Sequence, residues 1–364
     1  MKIKSIVVVS LLAIGLAAGL FFAGLYKDEF SAAKSIKKIT DGVYAMEFEG
    51  DYCFDKYLAS GGSENTEGLV NFISDSLKKG KWSAPRVKKL PELKISLGDF
   101  GCSSITAKNK ASCGGMIFGR NYDWQDCAVM IVHTKPENGY ESVSTCCLTH
   151  IGIDQNWEPK NKFPADALAL ASIYVPMDGM NEKGLYIADL MAGDKETTAQ
   201  NRGKTDIITT DAIRLILDKA ANVDEALELL NQYDMNSVIG WAHHFALADN
   251  SGKSLVVEWL DNQLYVTETK LVTNHYLTEY FENTDEFIKE TENSRIRFNK
   301  LEKTADQAGW SMTSKEVCDA LESVHAGQYG GKALTVWSAV FEPNAKKITY
   351  CFRENYGNPF VIEF

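Results

Sequence analysis

Positive charge is in short supply in this sequence. Its 364 residues include 38 lysines and arginines against 49 aspartates and glutamates, which gives a formal net charge of −11. Nucleic-acid binding relies on clustered lysine and arginine for phosphate contacts, so this balance argues against a nucleic-acid partner. It also disfavours a strongly anionic substrate unless the binding pocket contributes its own arginines.

Histidine is also scarce, and the six histidines do not show the spacing of a metal site. Only His243 and His244 are close together in the sequence, so we expect no bound metal. Internal repeats and low-complexity tracts are absent. The composition, with 45% hydrophobic and 24% charged residues, is ordinary for a globular chain of one large or two smaller domains.

One long uncharged run stands at the N-terminus. IVVVSLLAIGLAAGLFFAGLY occupies residues 6–26 and follows Lys2 and Lys4. Its length of about 20 residues is close to the minimum for crossing a bilayer, and the lysines favour a cytoplasmic N-terminus. Residues 1–26 are therefore predicted to be a signal sequence or a membrane anchor, with a buried core helix as the alternative. The remaining chain would be secreted or anchored to the outer face of the cell membrane.

The hydrophobic pattern changes at about residue 101. Residues 27–101 are polar and mixed in charge, and short amphipathic stretches predict a small helical pro-segment or stalk. Residues 102–364 contain clusters of strands and helices rather than strict alternation, which predicts a layered α+β fold. The predicted strands are 116–119, 128–133, 185–190, 245–248, 255–259 and 264–267, and the predicted helices are 210–221, 223–233 and 313–325.

Cys102 follows Gly101 and precedes the predicted strand at 116–119, after which come Arg120 and Asp123. An N-terminal cysteine can attack an acyl carbon while its own α-amino group, with an unperturbed pKa of about 7.7–8.0, takes and returns the proton. The same thiol can start cleavage of the Gly101–Cys102 bond. We expect Arg120 to lower the pKa of the thiol and Asp123 to hold the freed α-ammonium. The alternative is a strand end with a surface ion pair.

Several segments resemble, in order, the motifs of the choloylglycine hydrolase family of N-terminal nucleophile hydrolases. This family includes bile salt hydrolases, penicillin V acylases and acid-ceramidase-like amidases. The segments are GCSS at 101–104, GRNYDW at 119–124, GMNEKGL at 179–185, LVTNH at 271–275, SRIRF at 294–298, WSAVF at 337–341 and KITY at 347–350. Together they extend over almost all of residues 102–364.

The resemblance implies a four-layer αββα sandwich, with antiparallel sheets between helical layers and Cys102 at the head of a central strand. It implies that Asn274 donates a hydrogen bond to the tetrahedral oxyanion. It also implies that Arg297 supports the nucleophile, with Arg295 as the alternative match. No cofactor is implied, and relatives are often multimers, which leaves a homo-oligomer as an option.

Two features differ from the bile salt hydrolases. Met191 stands where those enzymes usually have an oxyanion asparagine, so a backbone N–H would have to provide the second donor. The pro-segment at 27–101 is long, whereas bile salt hydrolases usually lose only a methionine. Both features move the expectation toward a linear amide hydrolase of unknown substrate.

Eight cysteines in an exported chain would ordinarily suggest disulfides. If Cys102 is a nucleophile, seven remain, so at least one more is unpaired or bonds another chain. Cys53 could tether the pro-segment to the mature body, or be a buried free thiol. Cys146 and Cys147 are expected to face opposite sides of a strand.

These observations predict an exported, self-processed hydrolase that cleaves the non-peptide C–N bond of a small-molecule N-acyl amine. Cys102 would form a thioester, release the amine and be freed by water. The alternatives are an acyltransferase of the same fold, a non-catalytic membrane-tethered binding module, and an unrelated thiol peptidase that pairs Cys102 with His243 or His244.

Overall fold

The structure, a computed structural model, describes residues 26–77, 101–111, 114–162, 165–193, 197–278, 292–328 and 333–364. Residues 6–25 of the predicted signal sequence or anchor lie outside these ranges. No helix within the ranges combines the length and the apolar character needed to span a membrane.

The described chain contains helices and strands in mixed order. The helices are α1 Lys27–Ser35, α2 Phe54–Ala59, α3 Thr66–Leu77, α4 Thr209–Lys219, α5 Val223–Leu230, α6 Glu292–Gln307 and α7 Ser314–Glu322. The strands are β1 Lys37–Thr40, β2 Val43–Glu49, β3 Gly101–Asn109, β4 Met116–Trp124, β5 Val129–Lys135, β6 Ser142–Cys147, β7 Asp178–Asn181, β8 Tyr186–Gly193, β9 Thr205–Ile208, β10 Tyr233–Asn236, β11 Ala242–Ala248, β12 Ser254–Leu260, β13 Gln263–Glu268, β14 Leu271–Val272, β15 Ser311–Met312, β16 Leu334–Glu342, β17 Lys347–Phe352 and β18 Phe360–Glu363.

Two large sheets organise these strands. The first sheet has nine strands in the order β1-β2-β5-β6-β7-β8-β11-β12-β13. The second sheet has the order β14-β3-β4-β16-β17-β18, with β15 beside β3. Neighbouring strands in both sheets are antiparallel except for the pairs β2–β5 and β15–β3. Strand β3, which carries Cys102, therefore lies inside the second sheet, between β14 and β4.

Three apolar cores define the order of the layers. The first core packs Phe245 of the first sheet with Ile213 of α4. The second core lies between the sheets, where the rings of Phe118 and Tyr186 stack with their centroids 5.1 Å apart. The third core packs the second sheet on α6 and α7, with Leu321 among its buried residues. Helix, sheet, sheet and helix follow one another, so the predicted αββα sandwich is confirmed.

The segment before Gly101 is more than a helical stalk, so that prediction was wrong for its described part. β2 runs parallel to β5 over its whole length, from Val43 opposite Val129 to Glu49 opposite Lys135. Its side chains alternate between buried and more exposed over most of the strand, as in a strand with one face on a core. Residues 37–49 therefore complete one edge of the first sheet.

The predicted elements are present with shifted ends. The predicted strand at 116–119 extends to Trp124, which brings all of GRNYDW into β4. The predicted helix at 223–233 ends at Leu230 because the chain enters β10 at Tyr233. The predicted capping box precedes α7, where the Thr313 hydroxyl accepts the Glu316 N–H at 3.2 Å and the Glu316 carboxylate accepts the Thr313 N–H at 2.7 Å.

β4 passes close to α7 at Gly119. A Cβ at this position would lie 2.7 Å from Val317 Cγ1 and 2.8 Å from Ile105 Cγ2. We expect Gly119→Ala to lower the free energy of unfolding by about 1–3 kcal/mol because the core has no room for the added methyl. Urea titration of this variant checks the prediction. Gly357→Ala is the control, since its Cβ would meet only Asn355 Oδ1 at 3.7 Å. Equal stability of the two variants would contradict the close packing.

Candidate active site

The register of β3 and β4 brings the predicted residues together. Gly101 lies opposite Asp123, Cys102 opposite Tyr122, and Ser104 opposite Arg120. Cys102 is buried, with 5% of its surface exposed. Because cross-strand neighbours lie close together, Arg120 and Asp123 are next to the first residues of β3. The chain is uncut at Gly101–Cys102 in this structure.

Two side chains from other elements hold the backbone of Cys102. Asn274 Oδ1 accepts the Cys102 N–H at 2.5 Å. Arg297 Nη1 donates to the Cys102 carbonyl at 2.5 Å and to Ser103 Oγ at 2.9 Å. Arg297 Nη2 donates to Asn274 Oδ1 at 2.9 Å. One hydrogen-bonded group thus contains Asn274, Arg297 and Cys102. Of the two arginines that could match the family motif, Arg297 is the one seen to bind Cys102.

The loop that carries Asn274 is fixed on both sides. Thr273 Oγ1 donates to the Ser294 carbonyl at 3.0 Å, which ties the loop to α6. The Glu258 carboxylate of β12 accepts the N–H groups of Leu277 and Thr278 at 2.9 and 2.8 Å. The side-chain N–H of Asn274 donates to the Met191 carbonyl at 2.8 Å. An amide nitrogen carries two N–H groups, so one more hydrogen bond can be donated to an oxyanion.

Arg120 is fully buried and has a carboxylate neighbour that the sequence analysis missed. Its Nη2 donates to the Asp189 carbonyl, and its Nε lies 3.5 Å from Asp178 Oδ2. Asp178 Oδ2 also accepts the indole N–H of Trp337 at 2.8 Å. A buried guanidinium requires a counter-ion. This rule indicates that Arg120 needs a buried acidic neighbour. Asp178, which directly precedes the GMNEKGL segment, is that neighbour.

Burial raises the pKa of the Cys102 thiol in the uncut chain. Arg120 opposes this effect, and so does Arg297 more weakly, while Asp123 adds to it. Arg120 thus acts in the expected direction, but in the uncut chain the loss of hydration outweighs the guanidinium groups. The thiol is neutral at physiological pH until a base removes its proton.

Asp123 lies beside the bond that would be cut. A Cβ on Gly101 would be 2.8 Å from Asp123 Oδ2, and the other carboxylate oxygen accepts the Thr335 hydroxyl at 2.6 Å. Burial raises the pKa of Asp123 to about 6, and Arg297 is the main opposing group. The carboxylate is therefore positioned where an α-amino group of Cys102 would be released.

This raised pKa predicts a pH-dependent stability of the uncut chain. The folded chain keeps the Asp123 proton up to about pH 6, whereas an unfolded aspartate releases it near pH 3.9. Between about pH 3.9 and pH 6 the folded state binds more protons than the unfolded state. The contribution of Asp123 to stability is therefore greatest below this range and decreases as the pH rises through it. The free energy of unfolding changes by about 1.4 kcal/mol for each unit by which the folded and unfolded pKa values of Asp123 differ.

Urea unfolding of Cys102→Ala and Cys102→Ala/Asp123→Asn at pH 4, 5 and 6 checks this prediction. Both variants remain uncut, so they differ only in the ionisable group. The single variant should lose stability relative to the double variant as the pH increases. Identical pH slopes would show that Asp123 titrates at its ordinary value.

The two adjacent histidines do not pair with Cys102 in the described structure. His244 Nδ1 lies 3.1 Å from Glu258 Oε1. His243 is hydrogen-bonded through both ring nitrogens, to Asp189 and to Ser237. The thiol-peptidase alternative therefore gains no support from the positions of these side chains.

The cysteines are only partly paired among the described residues. Cys127 and Cys147 form a disulfide. Cys146 packs in the core under α4 and Cys147 in the core between the sheets, which confirms their opposite orientations. Cys53 Sγ lies 3.9 Å from Asp51 Oδ2, and its role as a tether remains a prediction. Cys113 lies outside the described residues.

Comparison with known proteins gives a family and a fold. A family model described as acyl-coenzyme A:6-aminopenicillanic acid acyl-transferase matches residues 109–356. A mutant of conjugated bile acid hydrolase from Clostridium perfringens has a TM-score of 0.51 at 16% identity, over 72% of this chain and 92% of that one. Penicillin V acylase from Agrobacterium tumefaciens has a TM-score of 0.49 at 17% identity, over 72% of this chain and 86% of that one. No curated protein sequence matches at a significant level.

The family match covers well over half of the chain. It begins after Cys102 and includes Arg120, Asp123, Asn274 and Arg297. The similarity to bile acid hydrolase concerns the fold alone, and it confirms the predicted α+β architecture. The chain belongs to the acyl-coenzyme A:6-aminopenicillanic acid acyl-transferase family.

Proposed function

We propose that this protein is an exported, self-processed N-terminal cysteine hydrolase that cleaves the C–N bond of a linear N-acyl amine. The observation that carries the proposal is the arrangement around Cys102. Its N–H and its carbonyl are bound by Asn274 and Arg297, and the carboxylate of Asp123 lies beside the Gly101 Cα. Such contacts would hold the backbone of a terminal cysteine at both ends of the residue.

Self-processing would start at the carbonyl of Gly101. The Cys102 thiol attacks this carbon, its proton is transferred to the departing nitrogen, and the acyl group moves from nitrogen to sulfur. Water then hydrolyses the thioester and leaves a free α-amino group on Cys102. Asn274 Oδ1, which accepts the Cys102 N–H in the uncut chain, would accept an N–H of the new amine. Asp123 would supply the negative charge that holds its ammonium form.

Turnover would use the same atoms on an external amide. The α-amine takes the thiol proton, sulfur bonds to the acyl carbon, and the C–N bond breaks as the amine leaves with that proton. Water, activated by the α-amine, releases the carboxylic acid. Cleavage also places a cation, the α-ammonium, beside the Cys102 thiol, and this charge favours the thiolate. Asn274 would stabilise the oxyanion with its remaining N–H.

The upstream segment would stay bound after cleavage. β2 pairs with β5 over seven residue pairs, and Tyr57 of α2 donates to the buried Asp211 carboxylate at 2.7 Å. A cut at Gly101 breaks one peptide bond and none of these contacts. We therefore expect a two-chain protein that separates only on denaturation. Its export through residues 1–26 is part of the proposal.

An acyltransferase is the second candidate, because the matching family model carries that name. In this case an amine, rather than water, would accept the acyl group from the Cys102 thioester. Half-buried Trp241 and Leu277 pack against the core that contains Cys102, which favours an apolar acyl group in either case. The partition between acid and new amide, measured at increasing concentrations of added amine, separates the two candidates.

Acyl transfer to Cys102 can be tested directly. The purified protein is mixed with a panel of N-acyl amines that carry apolar acyl groups, quenched in acid and analysed by peptide mass spectrometry. We expect an acyl adduct on the peptide that begins with Cys102, and its loss with hydroxylamine. The proposal would be overturned if the processed protein turned over an amide and carried the acyl adduct on another residue. It would also be overturned if turnover occurred and rapid quenching gave no covalent adduct.

A further inference from the structure

A second set of nucleophile-type side chains is hydrogen-bonded in series near the end of β8. Ser237 Oγ lies 3.0 Å from His243 Nε2. His243 Nδ1 lies 2.9 Å from Asp189 Oδ1 and 3.1 Å from Asp189 Oδ2. His243 and Asp189 are buried, whereas Ser237 is half-buried and accessible from solvent. Serine, imidazole and carboxylate therefore lie in the order that general-base activation of a hydroxyl requires.

This group lies beside the Cys102 site, because Trp241, whose N–H binds Ser237 Oγ, also packs on the core that contains Cys102. Asp189 lies opposite Phe245 in the β8–β11 pair, and Phe245 belongs to the core that packs on α4. Cross-strand neighbours share a face of the sheet, so the Asp189 carboxylate points away from the core that contains Cys102. Asp189 accepts a hydrogen bond from Arg120 through its backbone carbonyl, and the charge of its carboxylate also acts on Arg120 and Tyr122. The proposed mechanism at Cys102 uses neither the carboxylate nor His243.

The hydrogen bonds assign a role to each atom. In the tautomer that places the proton on Nδ1, the Asp189 carboxylate accepts the Nδ1–H and Nε2 can accept the Ser237 hydroxyl proton. Ser237 Oγ also accepts the backbone N–H groups of Ile239 at 3.2 Å and Trp241 at 3.0 Å. These donors stabilise negative charge on the oxygen. The imidazole is therefore both oriented and able to take the proton.

A donor for an oxyanion is available next to Ser237. No described residue accepts the backbone N–H of Val238, the residue that directly follows the serine. In serine hydrolases with a nucleophile elbow, the N–H after the nucleophile contributes to the oxyanion hole. Val238 and Ile239 are half-buried apolar residues, and the chain carries a net charge of −11. These surroundings suit a short, apolar and uncharged acyl group.

We propose that Ser237, His243 and Asp189 form a second nucleophilic centre that hydrolyses small uncharged carboxylic esters. Ser237 Oγ releases one of its two backbone N–H hydrogen bonds and bonds to the ester carbon as its proton moves to His243 Nε2. The C–O bond to the alcohol then breaks, and the alcohol leaves with that proton. Water repeats the sequence on the acyl-serine, gives the carboxylic acid and restores the serine hydroxyl.

The test uses Cys102→Ala, so that failure of the Cys102 mechanism and failure of this proposal are distinguishable. The folded variant is treated with an alkyl fluorophosphonate, and the adduct is located by peptide mass spectrometry. Hydrolysis of p-nitrophenyl butyrate is followed in parallel. We expect a single adduct on Ser237 and ester hydrolysis that the fluorophosphonate abolishes.

Two additional substitutions separate a catalytic group from a structural one. Asp189→Asn leaves the serine loop intact but favours the wrong imidazole tautomer, so labelling should slow by about 10²-fold or more. Ser251→Ala is the matched control, because Ser251 donates to Asp249 without a histidine and should not affect labelling. No adduct under conditions that fully label a serine esterase would overturn the proposal. An adduct whose rate is the same in Asp189→Asn would do so as well.

Discussion

Cys102→Ala is expected to abolish amide turnover, with a loss of at least about 10⁴-fold in kcat, on the scale seen when a catalytic nucleophile is removed. The reason is that this cysteine would supply both the attacking sulfur and, after cleavage, the α-amine that transfers protons. The measurement is the initial rate on the best N-acyl amine of the panel. Substrate binding by the variant, measured by calorimetry, should be affected much less if the protein stays folded.

Cys102→Ser separates processing from turnover. A hydroxyl can perform the same acyl shift but is a weaker nucleophile than a thiol. We therefore expect slow, detectable cleavage at residue 101 and greatly reduced amide hydrolysis. Cys318→Ala removes a half-buried thiol on α7 and should be processed normally. Full amide activity in Cys102→Ala would contradict the assignment of the nucleophile.

Asn274→Asp is expected to lower kcat by about 10²–10³-fold, as the loss of an oxyanion donor does in other acyl-transfer enzymes. The substitution keeps an oxygen to accept the N–H groups of Cys102 and Arg297 but removes the N–H groups of the amide. It therefore changes the donor function more than the support of the backbone. We expect kcat and kcat/KM to fall together, because the lost interaction forms only in the transition state.

Asn274→Ala removes the acceptor as well and should slow processing in addition to turnover. Asn231→Ala is the control, since Asn231 is an exposed amide at the end of α5. Rates for Asn274→Asp that equal those of the control would mean that the oxyanion is bound by other groups. The backbone near Met191 would then be the first place to search.

The layered fold was predictable because apolar residues recur at regular spacing along its strands and helices. The apolar residues of α4 and α7 recur at helical spacing; α7 buries one face, whereas α4 is buried on all sides. β2 was missed because its position between β1 and β5 is determined by pairing with β5, which lies far away in the sequence. Its place in the first sheet depends on tertiary pairing, which a local pattern does not contain.

The residues of the site were predictable, but their electrostatics were not. Cys102, Asn274 and Arg297 were predicted from separate motifs, and the structure joins them in one hydrogen-bonded group. Arg120 favours the thiolate as predicted, but the sequence did not show that burial would raise the pKa of the Cys102 thiol in the uncut chain. Asp178 was missed because its pairing with Arg120 depends on the contact between the two sheets.

The most direct test of the central claim is intact-mass analysis with N-terminal sequencing of the purified wild-type protein under reducing conditions. The account predicts a fragment that begins with Cys102 and an upstream fragment that elutes with it under native conditions. Cys102→Ala should give one uncut chain. A folded wild-type protein that remains a single chain through Gly101–Cys102 would contradict the account.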